Sequence, residues 1–438
     1  MSQLTERQCR EILEKVMSFS RADECESNIN SGATGNIRFA RNTVSTSGII
    51  KNTSLVVQSS FGKKTGTATI NEFDDESLQK VVRRSEELAK LAPENPEYMS
   101  FLPQQDYVKT KSWFKSTADI TPEFRASAAA ASLKPARAKG IEAAGFLQDN
   151  AGSQAMINTK GLFAYHQNSN INFSVTMRTK DGTGSGWASR DFNDASLMNT
   201  GEASGIAIDK AVLSQKPRAI EPGKYTVILE PAASSGLLRN LLFSLGARQA
   251  DEGRSFLSKK GGGTKLGEKI VDERVSMYSD PTHPEIPTSP WANDGQSQKK
   301  MYWIKNGVVE NMFYSRYWAQ KNGVAPVPFP ANGIMDGGTA SIEDLIKSTK
   351  RGVLVTRTWY IRTVDPQTLL YTGLTRDGTF FVENGKIKFP VKNFRFNESP
   401  IIMLNNVEAF GKPLRHNGNL IPPMKIRDFT FSSLSDAV

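Results

Sequence analysis

The chain has few of the side chains that bind metal ions or form disulfides. Its 438 residues include two cysteines, Cys9 and Cys25, and three histidines, His166, His283 and His416. Two cysteines are too few for a disulfide framework, and their spacing is not that of a zinc site. The histidines are far apart in the sequence, and the loop-like surroundings of His283 and His416 predict that both lie at the surface. We therefore expect reduced thiols and no metal site in this chain.

Long apolar runs are also missing. No segment approaches the roughly 20 apolar residues that a membrane-spanning helix needs. The first seven residues, Met-Ser-Gln-Leu-Thr-Glu-Arg, lack the apolar core of a signal peptide. We therefore expect a cytoplasmic protein that does not contact membranes. With 38% hydrophobic residues the chain can bury a substantial core, and its length favours two domains.

Basic residues outnumber acidic ones, which gives a formal net charge of +10 at pH 7. This excess raises the question of nucleic-acid binding. The lysines and arginines are scattered along the chain, however, and dense pairs such as Arg83-Arg84 and Lys299-Lys300 are isolated. A solvated basic surface is the preferred interpretation, and nucleic-acid binding stays open as the alternative.

The first part of the chain alternates helical and β-like patterns. Thr5 to Phe19 has an apolar stripe at helical spacing, and a second helix is predicted to begin at Asp74 and to end before Pro93. Turn-forming pairs such as Ser31-Gly32 divide the sequence between them into short segments, which predict an antiparallel meander. The five predicted strands are Glu26–Asn30, Asn36–Ala40, Val44–Ile49, Ser54–Ser60 and Gly66–Ile70.

The same order of elements recurs in the second part. Helices are predicted from Pro122 to Lys139 and from Asn193 to Leu213, with five β-like segments between them. Asn150-Ala151-Gly152 stands in the place of Asn30-Ser31-Gly32 as a predicted turn. We interpret this repeat as an internal duplication, and a chance similarity of two α+β meanders is the alternative. The predicted units are residues 1–92 and 121–215 of an N-terminal domain that spans residues 1–215.

Residues 220–438 are predicted to form a second, β-rich domain. Lys224 to Glu230 is an unbroken run of apolar and β-branched residues that predicts a buried strand. A leucine-rich helix follows, with Ser234 or Ser235 as its N-cap. Later segments, including a single strand from Gly352 to Arg362, predict a mostly antiparallel sheet. Its predicted hairpin turns are Asn306-Gly307 and Asn384-Gly385, and Ser341 opens one short helix.

Two basic stretches of this domain are candidates for binding an extended peptide. The Gly-rich run Ser255–Gly263 combines flexibility with positive charge and lacks the spacing of a phosphate-binding loop. In Thr356–Arg362, regular alternation puts Arg357 and Trp359 on one face and Tyr360 and Arg362 on the other. This stretch either grips carbonyl or carboxylate groups of a peptide or is a half-buried strand with paired charges. The predicted peptide-binding residues are Arg254, Lys259, Gly261, Gly262, Arg357, Trp359, Tyr360 and Arg362.

Several segments, taken in order, resemble the TldD/PmbA family, whose members were once described as modulators of DNA gyrase. The resemblance covers nearly the whole chain and rests on the combination of segments. It implies an α+β fold in which a duplicated helix–antiparallel meander–helix N-terminal region is interlocked with a β-rich C-terminal domain. The segments are residues 36–44, 54–70, 265–270, 302–308 and 381–391, together with the acidic helix start at Asp74.

The resemblance also implies a reaction class. TldD-like members carry His-Glu-x-x-x-His on the helix after the central strand and are implied to be zinc peptidases that act on extended peptides. In this chain Arg239 stands at the position of the first histidine, Asn240 at that of the glutamate and Ser244 at that of the second histidine. Arginine does not lose its proton to become a ligand, asparagine is not a general base, and serine is a poor zinc ligand. His416 lies near the position of the family's late ligand.

The chain therefore resembles the TldE-like (PmbA) type, which lacks the zinc motif. The resemblance implies a TldD-like catalytic partner that supplies the zinc, in a heterodimer that admits unfolded peptide; a homodimer is the alternative assembly. A metal-free peptide-binding or nucleic-acid-binding protein stays open as another function. An enzyme with a metal-free site also stays open; a perturbed acid or base in a cleft would indicate it, and the candidate groups are Asp251, Glu252, Arg254, Arg357 and Arg362.

Overall fold

The computed structural model describes residues 3–435, so residues 1–2 and 436–438 of the two predicted domains lie outside the described part. Helices combine with mainly antiparallel sheets, which confirms the α+β class. Within the described range, none of the helices has both the length and the hydrophobicity that a membrane crossing requires.

The N-terminal region contains the order helix, three strands, helix twice; the repeat of helix, strands and helix matches the expectation, but each set has three strands rather than the five predicted. The predicted domain boundaries themselves stay predictions. The first set comprises α1 (Glu6–Phe19), β1 (Glu24–Ala40), β2 (Thr43–Phe61), β3 (Lys64–Ile70) and α2 (Asp75–Leu91). After the short helix α3 (Lys115–Ala118), the second set comprises α4 (Pro122–Ala138), β4 (Ile141–Asn158), β5 (Phe163–Thr179), β6 (Ser185–Phe192), a 3-10 turn (Ala195–Leu197) and α5 (Thr200–Leu213).

The helices of the first set begin where the sequence supplies caps. The Thr5 hydroxyl accepts a hydrogen bond from the backbone N–H of Gln8, and the Gln8 side chain accepts one from the N–H of Thr5. Asp74 caps α2 by accepting the backbone N–H of Ser77. Such caps satisfy amide groups that have no partner within the helix. The apolar faces of both helices pack against one side of the sheet, where the two cysteines are buried as free thiols.

The ten short strands predicted for this region are six strands, because eight of the predicted segments merge in pairs into the long strands β1, β2, β4 and β5. The turns predicted at Ser31-Gly32 and Asn150-Ala151-Gly152 are wrong, because these residues lie inside β1 and β4, where Gly32 pairs with Gly152. Turn-type residues occur here for a different reason, since the two backbones approach closely and one face of the sheet is polar. The predicted helix Asn193–Leu213 begins only at Thr200.

The six strands form one antiparallel sheet in the order β3-β2-β1-β4-β5-β6. At its centre β1 pairs with β4, and Gly32 lies opposite Gly152. A Cβ atom on Gly32 would lie 2.7 Å from the carbonyl oxygen of Ala151, and one on Gly152 would lie 2.7 Å from that of Ser31. Glycine at both positions therefore permits the close approach that joins the two halves of the sheet.

The two faces of this sheet differ in chemistry because side chains alternate along each strand. One face packs against α1, α2, α4 and α5 and supplies buried residues such as Ile29, Leu147 and Phe173. It also holds a buried ion pair between Arg125 and Asp149, with hydrogen bonds of 2.6 and 2.7 Å. The opposite face carries amide and hydroxyl side chains and is turned partly toward the C-terminal region.

The C-terminal region contains two further sheets. Its first half comprises β7 (Gly223–Leu229), α6 (Pro231–Phe243), α7 (Ala247–Asp251), β8 (Met277–Ser279), β9 (Met301–Lys305), β10 (Val308–Val309), α8 (Arg316–Asn322), β11 (Ile334–Met335) and α9 (Ile342–Lys347). Its second half comprises β12 (Arg351–Val355), β13 (Thr358–Asp365), β14 (Leu370–Thr375), β15 (Thr379–Glu383), β16 (Lys386–Pro390), β17 (Phe394–Glu398), α10 (Pro400–Asn405), β18 (Val407–Phe410), β19 (Leu414–His416), β20 (Asn419–Ile421) and β21 (Met424–Leu434).

The larger sheet has the order β13-β14-β17-β21-β7-β12-β15-β16, with β18 beside β21, and the smaller one has the order β10-β9-β8-β11-β20-β19. The predicted strand Lys224–Glu230 is confirmed as β7, which lies between β21 and β12 with Val227 and Leu229 in the largest core. Both predicted Asn-Gly turns are confirmed by positive φ at each residue, and Ser341 caps α9.

Two predictions for this region are wrong. Helix α6 begins at Pro231 rather than after Ser234 or Ser235, because proline suits the first helical position, where no N–H partner is needed. The single strand Gly352–Arg362 is two strands, β12 and β13, which lie in different parts of the larger sheet. Tyr360 has a φ of 56° in a bulge, so the regular alternation expected there is broken.

We expect Gly152→Ala to lower the free energy of unfolding by about 1–3 kcal/mol, because the added methyl group overpacks two paired backbones. Gly205→Ala is the matched control. Gly205 lies inside α5, where an added Cβ meets nothing within 4 Å, so alanine should stabilise the chain by up to about 1 kcal/mol. Urea unfolding measures both effects, and equal effects would contradict the close approach of β1 to β4.

Candidate functional site

A cleft of about 630 Å³ lies between the polar face of the N-terminal sheet and the C-terminal region. Its lining comes from β4, β5 and β6, from the β19–β20 hairpin, and from residues 286–289 and 331–332. This volume is within the usual range of ligand-binding sites. Most of the lining side chains are polar, and they include Gln154, His166, Asn168, Asn170, Asn172, Asp191, Asn193, Asn332, Arg415, Asn417 and Asn419.

Asp191 on β6 holds the β19–β20 hairpin against the N-terminal sheet. Its carboxylate accepts hydrogen bonds from Nε of Arg415 at 2.9 Å and from the backbone N–H groups of Asn417 and Gly418 at 2.7 and 2.8 Å. Arg415 also donates to Oδ1 of Asn193 at 2.9 Å. Charge-assisted hydrogen bonds are among the strong ones. This contact therefore fixes the position of one side of the cleft.

Asn168, Asn170 and Asn172 alternate along β5, so their side chains leave the same face of the sheet and line the cleft. Asn168 is exposed and the other two are half-buried. Within residues 3–435, none of the three side-chain amides has a hydrogen-bond partner. By contrast, Asn193 and Asn332 donate to backbone carbonyls. The three amides on β5 thus present donors and acceptors that are available to a ligand.

The polar face continues in register across the neighbouring strands. Asn172 pairs with Gln148 of β4, which pairs with Asn36 of β1. Two residues further along β4 and β1, the side chain of Asn150 donates a hydrogen bond to the hydroxyl of Thr34. Two residues beyond that, a row of paired residues crosses four strands. It consists of Asn168 on β5, Gly152 on β4, Gly32 on β1 and Asn52 on β2.

His166 lies at one end of the cleft, next to the amides on β5. Its Nε2 is 3.0 Å from the hydroxyl of Ser112, and its ring makes an edge contact with Trp291. Burial lowers the pKa of His166 from its usual 6.5 to about 4. The imidazole is therefore neutral at pH 7 and can accept or donate one hydrogen bond at each nitrogen.

The prediction that His416 lies at the surface is wrong. His416 belongs to the β19–β20 hairpin, which packs against the N-terminal sheet, and its ring is buried in an edge contact with Trp187. Burial also lowers the pKa of His416. His283 is partly exposed, in line with its predicted loop position.

Arg239, Asn240 and Ser244 lie in the last turn of α6 and at its C-cap. Arg239 is exposed, and the other two are half-buried. The hydroxyl of Ser244 donates a 2.8 Å hydrogen bond to the backbone carbonyl of Asn240. Across the part of the chain that the structure describes, no group of three or more His, Cys, Asp or Glu side chains is placed to hold a metal ion.

Arg357 carries a paired charge, as in the second of the two interpretations of the stretch Thr356–Arg362. Its Nη1 donates to Oδ2 of Asp377 at 2.6 Å, and its guanidinium lies 4.3 Å from the ring centre of Trp187 on β6. Asp377 is buried and also accepts a 2.6 Å hydrogen bond from Ser185. This cluster joins the larger C-terminal sheet to the N-terminal sheet. Arg357 therefore has a structural role in the contact between the two regions.

Trp359, Tyr360 and Arg362 form an exposed cluster on β13. The guanidinium of Arg376 lies 4.3 Å from the ring centre of Trp359, and that of Arg362 lies 4.4 Å from the ring centre of Tyr360. Ile361, between them, points toward α6 and would contact a side chain at Gly236. These aromatic and cationic groups stay accessible to a peptide.

The Gly-rich run Ser255–Gly263 lies apart from the Arg357 cluster and from the exposed cluster on β13. Lys259 forms a 2.5 Å ion pair with Glu268, and Gly261 and Gly262 are exposed with φ values of 86° and 108°. Within residues 3–435, no hydrogen bond or ion pair joins residues 254–263 to residues 357–362 or to the cleft. The predicted peptide-binding residues are thus separate groups rather than one lining.

The acidic groups near this run are already engaged. Asp251 accepts a 2.6 Å hydrogen bond from the indole N–H of Trp318. Hydrogen bonds from Arg254 and Arg248 hold the pKa of Glu252 below its usual value. A general acid needs the opposite shift, so Glu252 is not suited to that role at neutral pH.

Sequence reasoning missed the residues that line the cleft. A signal was present for the asparagines, because Asn168, Asn170 and Asn172 recur at the period of a strand. The strands predicted from the sequence, Leu162–Gln167 and Asn172–Thr179, instead left Asn168 and Asn170 in a gap between them. No sequence signal pointed to Asp191 and Arg415, which are distant in the chain and meet only in the folded protein.

Three family models match consecutive parts of the chain. The PmbA/TldA metallopeptidase domain 1 matches residues 26–89, the central domain matches residues 115–215, and the C-terminal domain matches residues 222–433. These matches define a metallopeptidase-related family. The chain belongs to the TldD/PmbA family, as its sequence segments indicated.

Relatives with curated names are distant. A metalloprotease of Methanothermobacter thermautotrophicus is 25% identical over 227 residues, and the metalloprotease PmbA of Escherichia coli O157:H7 is 24% identical over 246 residues. These matches cover 47% and 52% of this chain and the same shares of the relatives, so the chain spans about half the length of the curated relatives it matches.

Solved structures match over nearly the whole chain. TldE from Thermococcus kodakarensis superposes with a TM-score of 0.83 at 17% identity and covers 97% of this chain and 99% of its own. A protein of Thermotoga maritima MSB8, described as a candidate modulator of a DNA gyrase, gives a TM-score of 0.86 at 17% identity, with coverage of 97% and 100%. At such identities the similarity establishes a shared fold.

We expect Arg357→Ala to lower the free energy of unfolding by about 2–3 kcal/mol, because it leaves the buried carboxylate of Asp377 with fewer donors. Arg362→Ala, which removes an exposed side chain of the same type, should change it by less than about 0.5 kcal/mol. Thermal or urea unfolding checks the difference. Equal stability of the two variants would show that the Asp377 contact is not structural.

The free energy of unfolding should fall as the pH is lowered from 6.5 to 4, partly because of His166. Its pKa is lower in the folded chain than in the unfolded chain, so the unfolded chain binds more protons in this range. His166→Gln removes the titration and keeps a hydrogen-bonding group. The difference in free energy of unfolding between the unaltered chain and His166→Gln should change by about 3 kcal/mol across this pH range. A difference that does not vary with pH would contradict the prediction.

Proposed function

We propose that this chain is the TldE-like, non-catalytic subunit of a TldD/TldE-type metallopeptidase that acts on unfolded or extended peptides. The observation that carries the proposal is the donor set at the end of α6. Arg239 keeps its proton, the amide of Asn240 is not a base, and the hydroxyl of Ser244 is bonded to a backbone carbonyl. This set does not fit zinc. In the proposal a TldD-like partner holds the metal and the water that it activates.

The complete fold supports a role in an assembly. The similarity to the TldE structure extends over 97% of this chain, although the donors that zinc chemistry requires are replaced. A chain of this kind suits the holding and orienting of substrate beside another subunit's catalytic site. We propose a heterodimer with a TldD-like protein in the cytoplasm, and a homodimer is the competing assembly.

The chemistry of the cleft favours peptide over nucleic acid. Binding of a phosphate backbone depends on lysine and arginine side chains that neutralise phosphate charge. The cleft instead offers neutral amides, and its Arg415 is paired with the carboxylate of Asp191. Amides match the donors and acceptors of a peptide main chain. The high net charge of the chain is therefore assigned to its solvated surface.

Co-expression with a TldD-like protein tests the proposal. The expected result is a stable mixed complex that contains zinc and cleaves unfolded peptides, whereas this chain alone contains no stoichiometric zinc and cleaves none. Metal analysis after purification without chelator, and a peptide-cleavage assay on each sample, measure both properties.

Substitutions on α6 serve as the control. Arg239→Ala and Asn240→Ala should leave both the zinc content and the turnover of the mixed complex unchanged within about twofold, because neither side chain touches the metal in this proposal. One zinc per isolated chain, or peptide cleavage by the isolated chain that Asn240→Ala abolishes, would overturn it. A homodimer that ignores every TldD-like protein would overturn the heterodimer.

A further inference from the structure

We propose that Asn168, Asn170 and Asn172 form an asparagine ladder that binds the main chain of an extended peptide lying along β5. The inference rests on the proposed peptide-holding function and deepens it by naming the residues and the part of the peptide that they bind. These asparagines were not among the residues predicted from the sequence. They replace the Gly-rich run and the Arg357–Arg362 stretch as the main-chain binding surface.

The spacing of the ladder matches the repeat of an extended peptide. Alternate residues of a strand are about 6.7 Å apart, so the three asparagines lie at intervals of that length along β5. In an extended peptide, the N–H and C=O groups that point to one side also recur every second residue, at the same interval. A peptide aligned with β5 therefore brings one outward-facing residue to each asparagine.

Each asparagine can satisfy both polar groups of the residue that faces it. The side-chain oxygen accepts from a peptide N–H, and the side-chain NH₂ donates to a peptide C=O. None of the three amides has a side-chain hydrogen-bond partner among residues 3–435, so a peptide does not have to displace an existing contact. Their exposed or half-buried positions in the cleft leave room for such a peptide.

The direction along β5 is favoured over the direction across the sheet. A peptide lying across the strands would meet Asn172, Gln148 and Asn36 in turn. Neighbouring strands are only about 4.8 Å apart, which does not match the repeat of an extended peptide. The row through Asn168 also has glycine on β4 and β1, so it offers no amide at those two steps.

The ladder selects backbone rather than sequence. Amides carry no charge, and the charged pair in the cleft, Asp191 with Arg415, is already satisfied by its own contacts. The ligand class is therefore an extended polypeptide of varied sequence. Proline at an engaged position is excluded because it lacks the N–H group.

Alanine variants test the ladder in the isolated chain. The probe is a fluorescent peptide of about ten residues, rich in threonine and valine so that it favours an extended conformation. Each of Asn168→Ala, Asn170→Ala and Asn172→Ala should weaken binding about tenfold, and the triple variant by roughly a hundredfold or more. Asn52→Ala is the matched control, because Asn52 ends the same row on β2 and should not affect binding.

A second probe keeps the test independent of the folding of the variants. The same peptide with N-methylated backbone amides cannot donate to the asparagine oxygens and should bind the unaltered chain roughly a hundredfold more weakly. The triple variant should bind both peptides equally. If the triple variant still prefers the ordinary peptide to the same degree, the ladder is wrong while the proposed subunit function stands.

Two further outcomes are informative. If the unaltered chain and its mixed complex bind neither peptide, the ladder and the proposed function fail together. If the cleft binds an oligosaccharide and no peptide, the asparagines serve hydroxyl groups instead, and the peptide assignment is overturned.

Discussion

The position of the cleft depends on one carboxylate. Asp191 binds the side chain of Arg415 and two backbone N–H groups of the β19–β20 hairpin, and so connects the N-terminal sheet to the smaller C-terminal sheet. The cluster of Arg357, Asp377 and Trp187 makes a second connection on the same strand, β6. Because β6 neighbours β5, both contacts place C-terminal residues beside the amide-bearing strand.

The class of fold and the order of its elements were predictable because they depend on local signals. Capping residues such as Thr5, Asp74 and Ser341 begin helices where expected, and Asn-Gly pairs close the predicted hairpins. Strand lengths were not predictable in the same way. Glycine, serine and asparagine inside β1 and β4 have the composition of turns, and only the pairing of these two strands explains their presence.

The candidate site was less predictable than the fold. Family resemblance directed attention to α6 and to charged residues of the C-terminal region, yet Arg357 is committed to Asp377. The asparagines of β5 carry no charge and match no catalytic motif, so only their alternation could have revealed them. The contact of Asp191 with Arg415 joins distant parts of the sequence, and a single sequence contains no local trace of such a contact.

The glycine pair at the centre of the N-terminal sheet bears on how the polar faces of its two halves align. A slip of β1 by one residue against β4 would turn every side chain of one half to the opposite face. Polar residues of β1 such as Asn36 would then face the helices, and apolar residues of β1 would lie beside the polar face of β4. A slip would also bring a residue with a side chain opposite Gly32 or Gly152, where the backbones are too close for a Cβ. Two residues without side chains thus favour one register of β1 against β4, although they contribute no side chain to the polar face themselves.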